Sequence, residues 1–227
     1  MLYRGKQRYL GLLFILPWLT GNLIFQLYHF IIFIYFFFSN LTLLRTPSFI
    51  GFENYINLFQ KDKNFYQALK VTFIYVLIAV PLKLLFSLFI AMVLNMKIKY
   101  INFFRTVYYM PSILGGSIAI SVLWRFLFAR DGLINNFFGI FGLVPIDWLG
   151  SPDYALMTIS LLTVWQFGSS MVIFLAGLKQ IPSELYEAAR IDGAGKYRTF
   201  MRITLPMLTP MIFFNLIMQM VHAFQEF

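Results

Sequence analysis

Apolar positions in this chain run in long unbroken stretches, rather than alternating or marking one face of an element. No formally charged residue lies between Arg8 and Arg45, a gap of 36 residues that contains LGLLFILPWL and HFIIFIYFFF. Further uncharged gaps of 19, 25 and 23 residues separate Arg105 from Arg125, Asp153 from Lys179 and Arg202 from Glu226. An α-helix needs about 20 apolar residues to cross roughly 30 Å of hydrocarbon, so each gap holds one span. A fifth apolar stretch, 68–95, carries Lys83 near its middle. The pattern predicts an all-α integral membrane protein, a helical bundle of about five transmembrane spans at 9–37, 68–95, 106–128, 154–177 and 206–227. A secretory signal would have an apolar region of about 7–15 residues ending in small residues. The first run here is longer and ends in Phe and Tyr, so it reads as a retained span.

Composition agrees and narrows the class. Hydrophobic residues make up 60% of the 227, aromatics 20% and charged residues only 12%, with mean hydropathy +0.75. A soluble domain carries about 25% charged residues. That excludes an ordinary soluble enzyme, a disordered chain and a nucleic-acid partner. The formal charge of +9 is then read as topology, because Lys and Arg concentrate in cytoplasmic loops. With the N-terminus inside, the inner segments hold Arg4, Lys6, Arg8, Lys97, Lys99, Arg105, Lys179, Arg190, Lys196, Arg198 and Arg202. The outer ones hold Arg45, Lys61, Lys63, Lys70, Arg125 and Arg130. Eleven against six favours a cytoplasmic N-terminus in a multi-pass protein of a cell membrane. The chain has no cysteine, so thiolate metal sites and cysteine nucleophiles are excluded, and no metal site is expected.

The loops divide by side. Outside, 47–59 reads as a turn followed by a short amphipathic piece, and 130–153, rich in Gly and Pro around Trp148, as a compact irregular loop. Inside, residues 179–205 carry the most informative segment. Ser183, after Pro182, is placed to N-cap a helix with Glu184 and Glu187 in its first turns, near the positive end of the dipole. Glu187, Ala188 and Ala189 favour helix. Asp192, Gly193 and Gly195 end it, and a second short helix is expected from about Lys196 to Leu205 and Pro206. The small Ala188, Ala189 and Gly193 would let another protein approach closely.

The arrangement Glu187-Ala188-Ala189, Gly193, Ile203, Leu205-Pro206 resembles the EAA loop of binding-protein-dependent ABC importer permeases. FIGFENYINLF, INFFRTVYYMPSILGGSIAISVLWRFLF and DGLINNFFG are similar to the carbohydrate subgroup of that family, of which the maltose permease is the type. The resemblance covers almost the whole chain. It implies a coupling helix, with Glu184, Glu187, Ala188, Ala189, Asp192, Gly193 and Gly195, that seats in a cytoplasmic ATPase dimer. It further implies a second homologous permease subunit and an extracellular or periplasmic solute-binding protein in a bacterial inner membrane. ATP and Mg would be bound by the partner ATPase, with no cofactor in this chain. Such permeases usually have six core spans, so the expected fold is a six-span core lacking its last span. The expected cargo is a sugar or oligosaccharide, with a polyol-like solute such as a glycerol phosphate ester as the alternative.

Other chemistries fit less well. Asp192-Gly-Ala-Gly-Lys196 lacks the earlier Gly and the following Ser or Thr of a phosphate-binding loop. An intramembrane enzyme would need a buried dyad or HExxH, and no span holds paired acids. An ion-coupled carrier would want intramembrane carboxylates, and Glu226 alone is thin support. Lys83, costing about 2.5–3.5 kcal/mol at mid-span, should face the bundle interior, and a structural role is the expectation for it. In the last span Asn215, Gln219, His222 and Glu226 follow at intervals of 4, 3 and 4 residues, a single polar stripe on an apolar helix. Trp165, Gln166 and Ser169 join them as a candidate pathway, since a sugar packs its C–H face on a ring and offers its hydroxyls to polar groups. The alternative for the stripe is that it glues the helix to its neighbours.

Overall fold

The computed structural model describes residues 4–42, 45–96, 99–116 and 118–226. Lys97 among the inner basic residues, Ser117 in the third expected span and Phe227 at the end of the fifth lie outside them. So do the side chains of Arg4, Lys6 and Arg8. The chain divides into two units, Met1–Ala68 and Leu69–Phe227.

In the first unit the expected span 9–37 is helical throughout, within α1 (Arg4–Asn22), a π-helical turn (Leu23–Leu27) and α2 (Tyr28–Phe37). Its large apolar side chains, among them Phe14, Trp18, Phe25 and Phe30, are exposed. That suits hydrocarbon as the solvent and would be costly in water. A feature that hydropathy does not announce follows: an antiparallel hairpin of β1 (Ser39–Thr42) and β2 (Arg45–Phe49), with Ser39 opposite Phe49. The amphipathic piece expected in 47–59 is α3 (Glu53–Gln60). Asn54 on α3 donates to the carbonyls of Phe37 (3.0 Å) and Ser39 (3.1 Å), so it ties the helix end, hairpin and α3 together. Phe38 packs its ring against Phe49, Phe52 and Tyr55.

The second unit is organised around α4 (Lys63–Leu94), which begins in the first. Its buried residues, Tyr75, Val76, Ala79, Val80, Lys83, Leu84, Ser87, Leu88, Ala91 and Leu94, recur every three to four positions and form one stripe. Against it pack Phe167, Met171, Phe174, Leu175 and Leu178, together with Leu208 and Ala223. Phe167 immediately precedes α9 (Gly168–Gln180), and the others come from α9 and α12 (Leu205–Gln225).

The stretch 106–128, read from sequence as one span, is two helices, α5 (Ile101–Leu114) and α6 (Ile118–Leu127). Gly115 and Gly116 stand at the end of α5, where their entropy cost disfavours continuing the helix. The stretch 154–177 is likewise two helices, α8 (Pro152–Trp165) and α9, bent by 46° at Gln166–Phe167. Among the described residues, three helical stretches are long and apolar enough to cross a membrane, and five if each bent pair counts as one.

Between α6 and α8, the outer loop expected to be irregular contains α7 (Leu133–Gly139). Asn135, 3% exposed, organises it. Its amide donates to the carbonyls of Ile146 (2.7 Å) and Arg130 (3.0 Å) and more weakly to that of Ala129 (3.4 Å). Its oxygen accepts from the Ile146 N–H (3.1 Å) and the Trp148 indole (2.9 Å).

Candidate functional site

Two regions gather the residues singled out by sequence. The first is the hairpin expected on the inner side, where α10 (Ser183–Ile191) begins after Pro182. Ser183 was expected to cap it but is its first helical residue, and its side chain caps nothing. The rigid φ of Pro182 supplies the extended entry instead. At the other end Ala194 N–H reaches Ala189 O (2.8 Å) and Gly193 N–H reaches Arg190 O (3.1 Å). This is the paired closure of a Schellman turn. Gly193 is in the left-handed region, φ +70°, with open space where a Cβ would stand. The glycine therefore serves backbone conformation here and not close approach.

Gly195, extended, then N-caps α11 (Lys196–Thr199). This second helix does not stop at Pro206. Through a π-helical turn (Phe200–Thr204) it runs into α12, giving one helical stretch, Lys196–Gln225. Pro206 lacks an N–H and its ring crowds the preceding turn, and a widened turn just before it relieves both conflicts.

Glu184, Glu187, Ala188, Asp192, Gly193 and Gly195 are exposed, so that face is open to a partner. Ala189 is not on it. At 8% exposure it turns inward, a correction to the expectation that all the small residues face outward. Ile191, 87% exposed, takes its place as an apolar surface residue that the motif does not announce. Tyr186, half-buried, bonds Thr204 (3.1 Å) and braces α10 against the π turn.

The second region lies where the broken helices meet. The kink at Gln166–Phe167 frees backbone groups that hydrocarbon cannot satisfy, and two serines from other helices satisfy them. Ser112 on α5 donates to Gln166 O (3.0 Å) and accepts from Ser169 N–H (3.1 Å). Ser87 on α4 lies 3.1 Å from Phe167 O and 2.6 Å from Lys83 O, as a donor shared between the two carbonyls. Gly168 makes the meeting possible, because a Cβ there would come within 2.9 Å of Tyr108 O and of Tyr109 Cα on α5. Gln166 donates its amide to Gly115 O (3.2 Å), so each helix break is held by the other.

Beside this crossing is a cavity of about 430 Å³, lined by Lys83, Ser112, Gly116, Gln166, Ser169, Gln219, His222, Gln225 and Glu226. Clefts that take small molecules run from roughly 300 to 1,000 Å³. Of the seven pathway residues expected from sequence, the structure gathers Gln166, Ser169, Gln219, His222 and Glu226 here.

Two others stand elsewhere. Trp165 turns its ring to Trp124, centroids 6.2 Å apart, because the break at Gln166 separates its direction from that of Ser169. Asn215 is wholly buried one turn deeper on α12, and its amide has no partner among the described residues. Sequence reasoning did not select Ser112, Gly116 or Gln225, and it favoured a structural role for Lys83, which is also a lining residue. For Lys83 the signal was present, since a mid-span charge is placed where something polar awaits it. At the cavity edge Glu226 accepts from the Tyr75 hydroxyl, which also bonds Thr163 (2.6 Å). That chain links α4, α8 and the end of α12.

Comparison with known proteins places this arrangement. The profile of the family described as binding-protein-dependent transport system inner membrane component matches residues 62–227. The probable ABC transporter permease protein YesP of Bacillus subtilis (strain 168) is 47% identical over 223 residues, 98% of this chain and 72% of that protein. The lactose transport system permease protein LacF of Rhizobium radiobacter is 35% identical over 79% of this chain and 61% of its own length. The chain thus spans about two thirds of the length of such relatives.

A crystal structure of a bacterial ABC transporter involved in the import of the acidic polysaccharide alginate shares the fold. Its TM-score is 0.81 at 25% identity, over 97% of this chain and 75% of that one. The bacterial alginate transporter in complex with alginate pentasaccharide-bound periplasmic protein matches with TM-score 0.82 at 25% identity, over 96% and 73%.

Proposed function

The chain belongs to the binding-protein-dependent transport system inner membrane component family, and from that premise we propose how it carries its cargo. It is a permease component of an ABC importer and not an enzyme. The proposed cargo is a sugar, released by an external binding protein and passed through the cavity between α4, α5, α9 and α12. Lactose and alginate in the names of its relatives support a saccharide.

The observation that carries the reading is the cavity itself. Eight of its nine lining residues have polar or charged side chains, in helices that are otherwise apolar. Such groups at membrane depth face a water-filled path or a ligand. Broken helices whose loosened backbone borders a cavity mark the binding sites of many transporters.

The energy is supplied from outside this chain. The inner hairpin, with Glu184, Glu187, Ala188, Asp192, Gly193 and Gly195 exposed on α10 and its turn, is the proposed seat for an ATPase dimer that binds ATP and Mg. Because α11 is continuous with α12, a push on the hairpin is transmitted along one helical stretch, Lys196–Gln225, towards Gln219 and His222. A second homologous permease would complete the pathway, and the N-terminus is placed in the cytoplasm. Uptake by cells carrying the whole transporter tests the route. Gln219→Ala and Gln166→Ala should each lower sugar uptake about tenfold, while ATPase still copurifies with the complex. Unchanged uptake in both would move the cargo elsewhere.

A further inference from the structure

From two polar side chains buried without partners we infer a second cargo position, between the cavity and the hairpin. Ser170 on α9 and Asn215 on α12 receive hydroxyl groups of the solute when these two helices part. This rests on the cavity reading above and extends the route by one station.

The packing of α9 on α12 sets the two residues opposite each other. A Cβ on Gly177 would lie 2.9 Å from Leu208 Cδ2 and from Met211 Cγ, while Ser169 and Gln219 line one cavity. Positions that fall along α9 as they rise along α12 make the pair antiparallel. A heptad is two helical turns and returns to the same face within about 20°. One heptad before Gly177 is Ser170, and one heptad after Leu208 is Asn215. Two turns from that close contact, the hydroxyl and the amide therefore occupy facing sides of the same seam.

Both residues are wholly buried. Neither the Ser170 hydroxyl nor either amide atom of Asn215 has a hydrogen-bond partner among the described residues. Orphaned polar groups weaken a packed interior. The serines that hold the neighbouring crossing together, Ser87 and Ser112, each bond a carbonyl of another segment. Polar groups that glue helices make such bonds, and Ser170 and Asn215 do not. This chain already encloses both side chains, so a further span or subunit has no surface of them to satisfy.

Place and chemistry point to the cargo. Ser169 adjoins Ser170, and Gln219 stands one turn from Asn215, so the pair borders the cavity that those neighbours line. Asn215 also lies between the hairpin and Gln219 on the helical stretch Lys196–Gln225, along which the hairpin would act. Beyond it Gly177, Leu208 and Met211 close the seam with apolar contact. An amide offers a donor and an acceptor, and a hydroxyl offers either. Neighbouring hydroxyls of a sugar need that set.

The test uses membranes carrying the complete transporter with its binding protein. In this cysteine-free chain, Asn215→Cys and Ser170→Cys report access to a small water-soluble methanethiosulfonate reagent. Each should react at least tenfold faster during ATP turnover than without nucleotide, while Ala91→Cys, as deeply buried on α4, stays unreactive. Uptake is read with whichever of radiolabelled lactose, maltose or digalacturonate wild type accumulates fastest. Asn215→Leu, which keeps the branched shape, should lower it about tenfold and leave Tm of the purified complex equal or higher. Asn215→Thr, which keeps a hydroxyl, should retain a good part of it. No faster labelling with ATP at either position, or wild-type uptake by Asn215→Leu, overturns the inference. A lowered Tm in Asn215→Leu and Ser170→Ala, with uptake falling only as assembled complex falls, would make the pair structural and also overturns it. If Gln219→Ala and Gln166→Ala lower uptake in any of these cases, the cavity stands and only the second position falls. If those two leave uptake unchanged, the cavity reading has failed and this position with it.

Discussion

At the scale of single residues, the most consequential groups are those whose backbone or hydrogen bonding has no substitute. Gly193 closes α10 at φ +70° with nothing near its missing Cβ, so any penalty for replacing it arises from conformation alone. A β-branched residue there should cost about 1–2 kcal/mol in the left-handed region, while Asn tolerates it better. Gly193→Val should therefore reduce the ATPase recovered by copurification, and Gly193→Asn should stay near wild type. Equal yields from the two variants would remove the backbone explanation. Asn135 is the corresponding keystone of the loop between α6 and α8, satisfying carbonyls and N–H groups on both sides of α7. Asn135→Leu keeps the volume but strands those partners, each costing about 1–3 kcal/mol when buried and unpaired. Limited proteolysis should then cut the 130–150 segment at least tenfold faster than in wild type.

At the scale of elements, the decisive feature is that helices here are broken and joined where hydropathy shows no mark. The bend between α8 and α9 persists because Ser87, Ser112 and Gln166 take up the backbone groups that it releases. Gly168 lets α5 come close enough for the serine to reach. Gly168→Val should force α5 and α9 apart. Overpacking of this kind typically costs about 1–3 kcal/mol, read as a lowered Tm of the purified complex, together with loss of uptake. A Tm and uptake equal to wild type would show that the crossing has slack. The junction of α11 with α12 is the opposite case. A π-helical turn before Pro206 keeps the helix continuous, which is what allows a hairpin on one side to act on a cavity farther along the same helix.

At the scale of the whole molecule, the proposed orientation makes the inner hairpin cytoplasmic and the α3 and α7 segments external. Lys and Arg bias supports it, and the absence of cysteine makes it simple to measure. Cysteines placed singly at positions 54, 147 and 196 can be labelled with an impermeant reagent on intact cells. Positions 54 and 147 should label and 196 should not until the membrane is opened. Labelling of 196 on sealed cells would invert the assignment and detach the hairpin from any cytoplasmic ATPase.

How much of this was legible without coordinates differs from residue to residue. The all-helical membrane class was legible because transfer of a 20-residue apolar run into hydrocarbon depends on residue identity, whatever the neighbours. The turn at Gly193 was legible for a similar reason: helix termination is local chemistry. The stripe of Gln219, His222 and Glu226 follows from helical period alone. Tertiary structure decided the rest. Lys83 lines the cavity and Trp165 leaves it because a kink at Gln166 redirects one helix, and the partners of that kink lie 54 and 80 positions away in the chain. Ala189 turns inward by the packing of α10, and Asn135 becomes central only when α7 and Trp148 fold around it. Contacts between distant segments depend on where helices bend and how closely they cross, and neither is written in the hydropathy of any one segment.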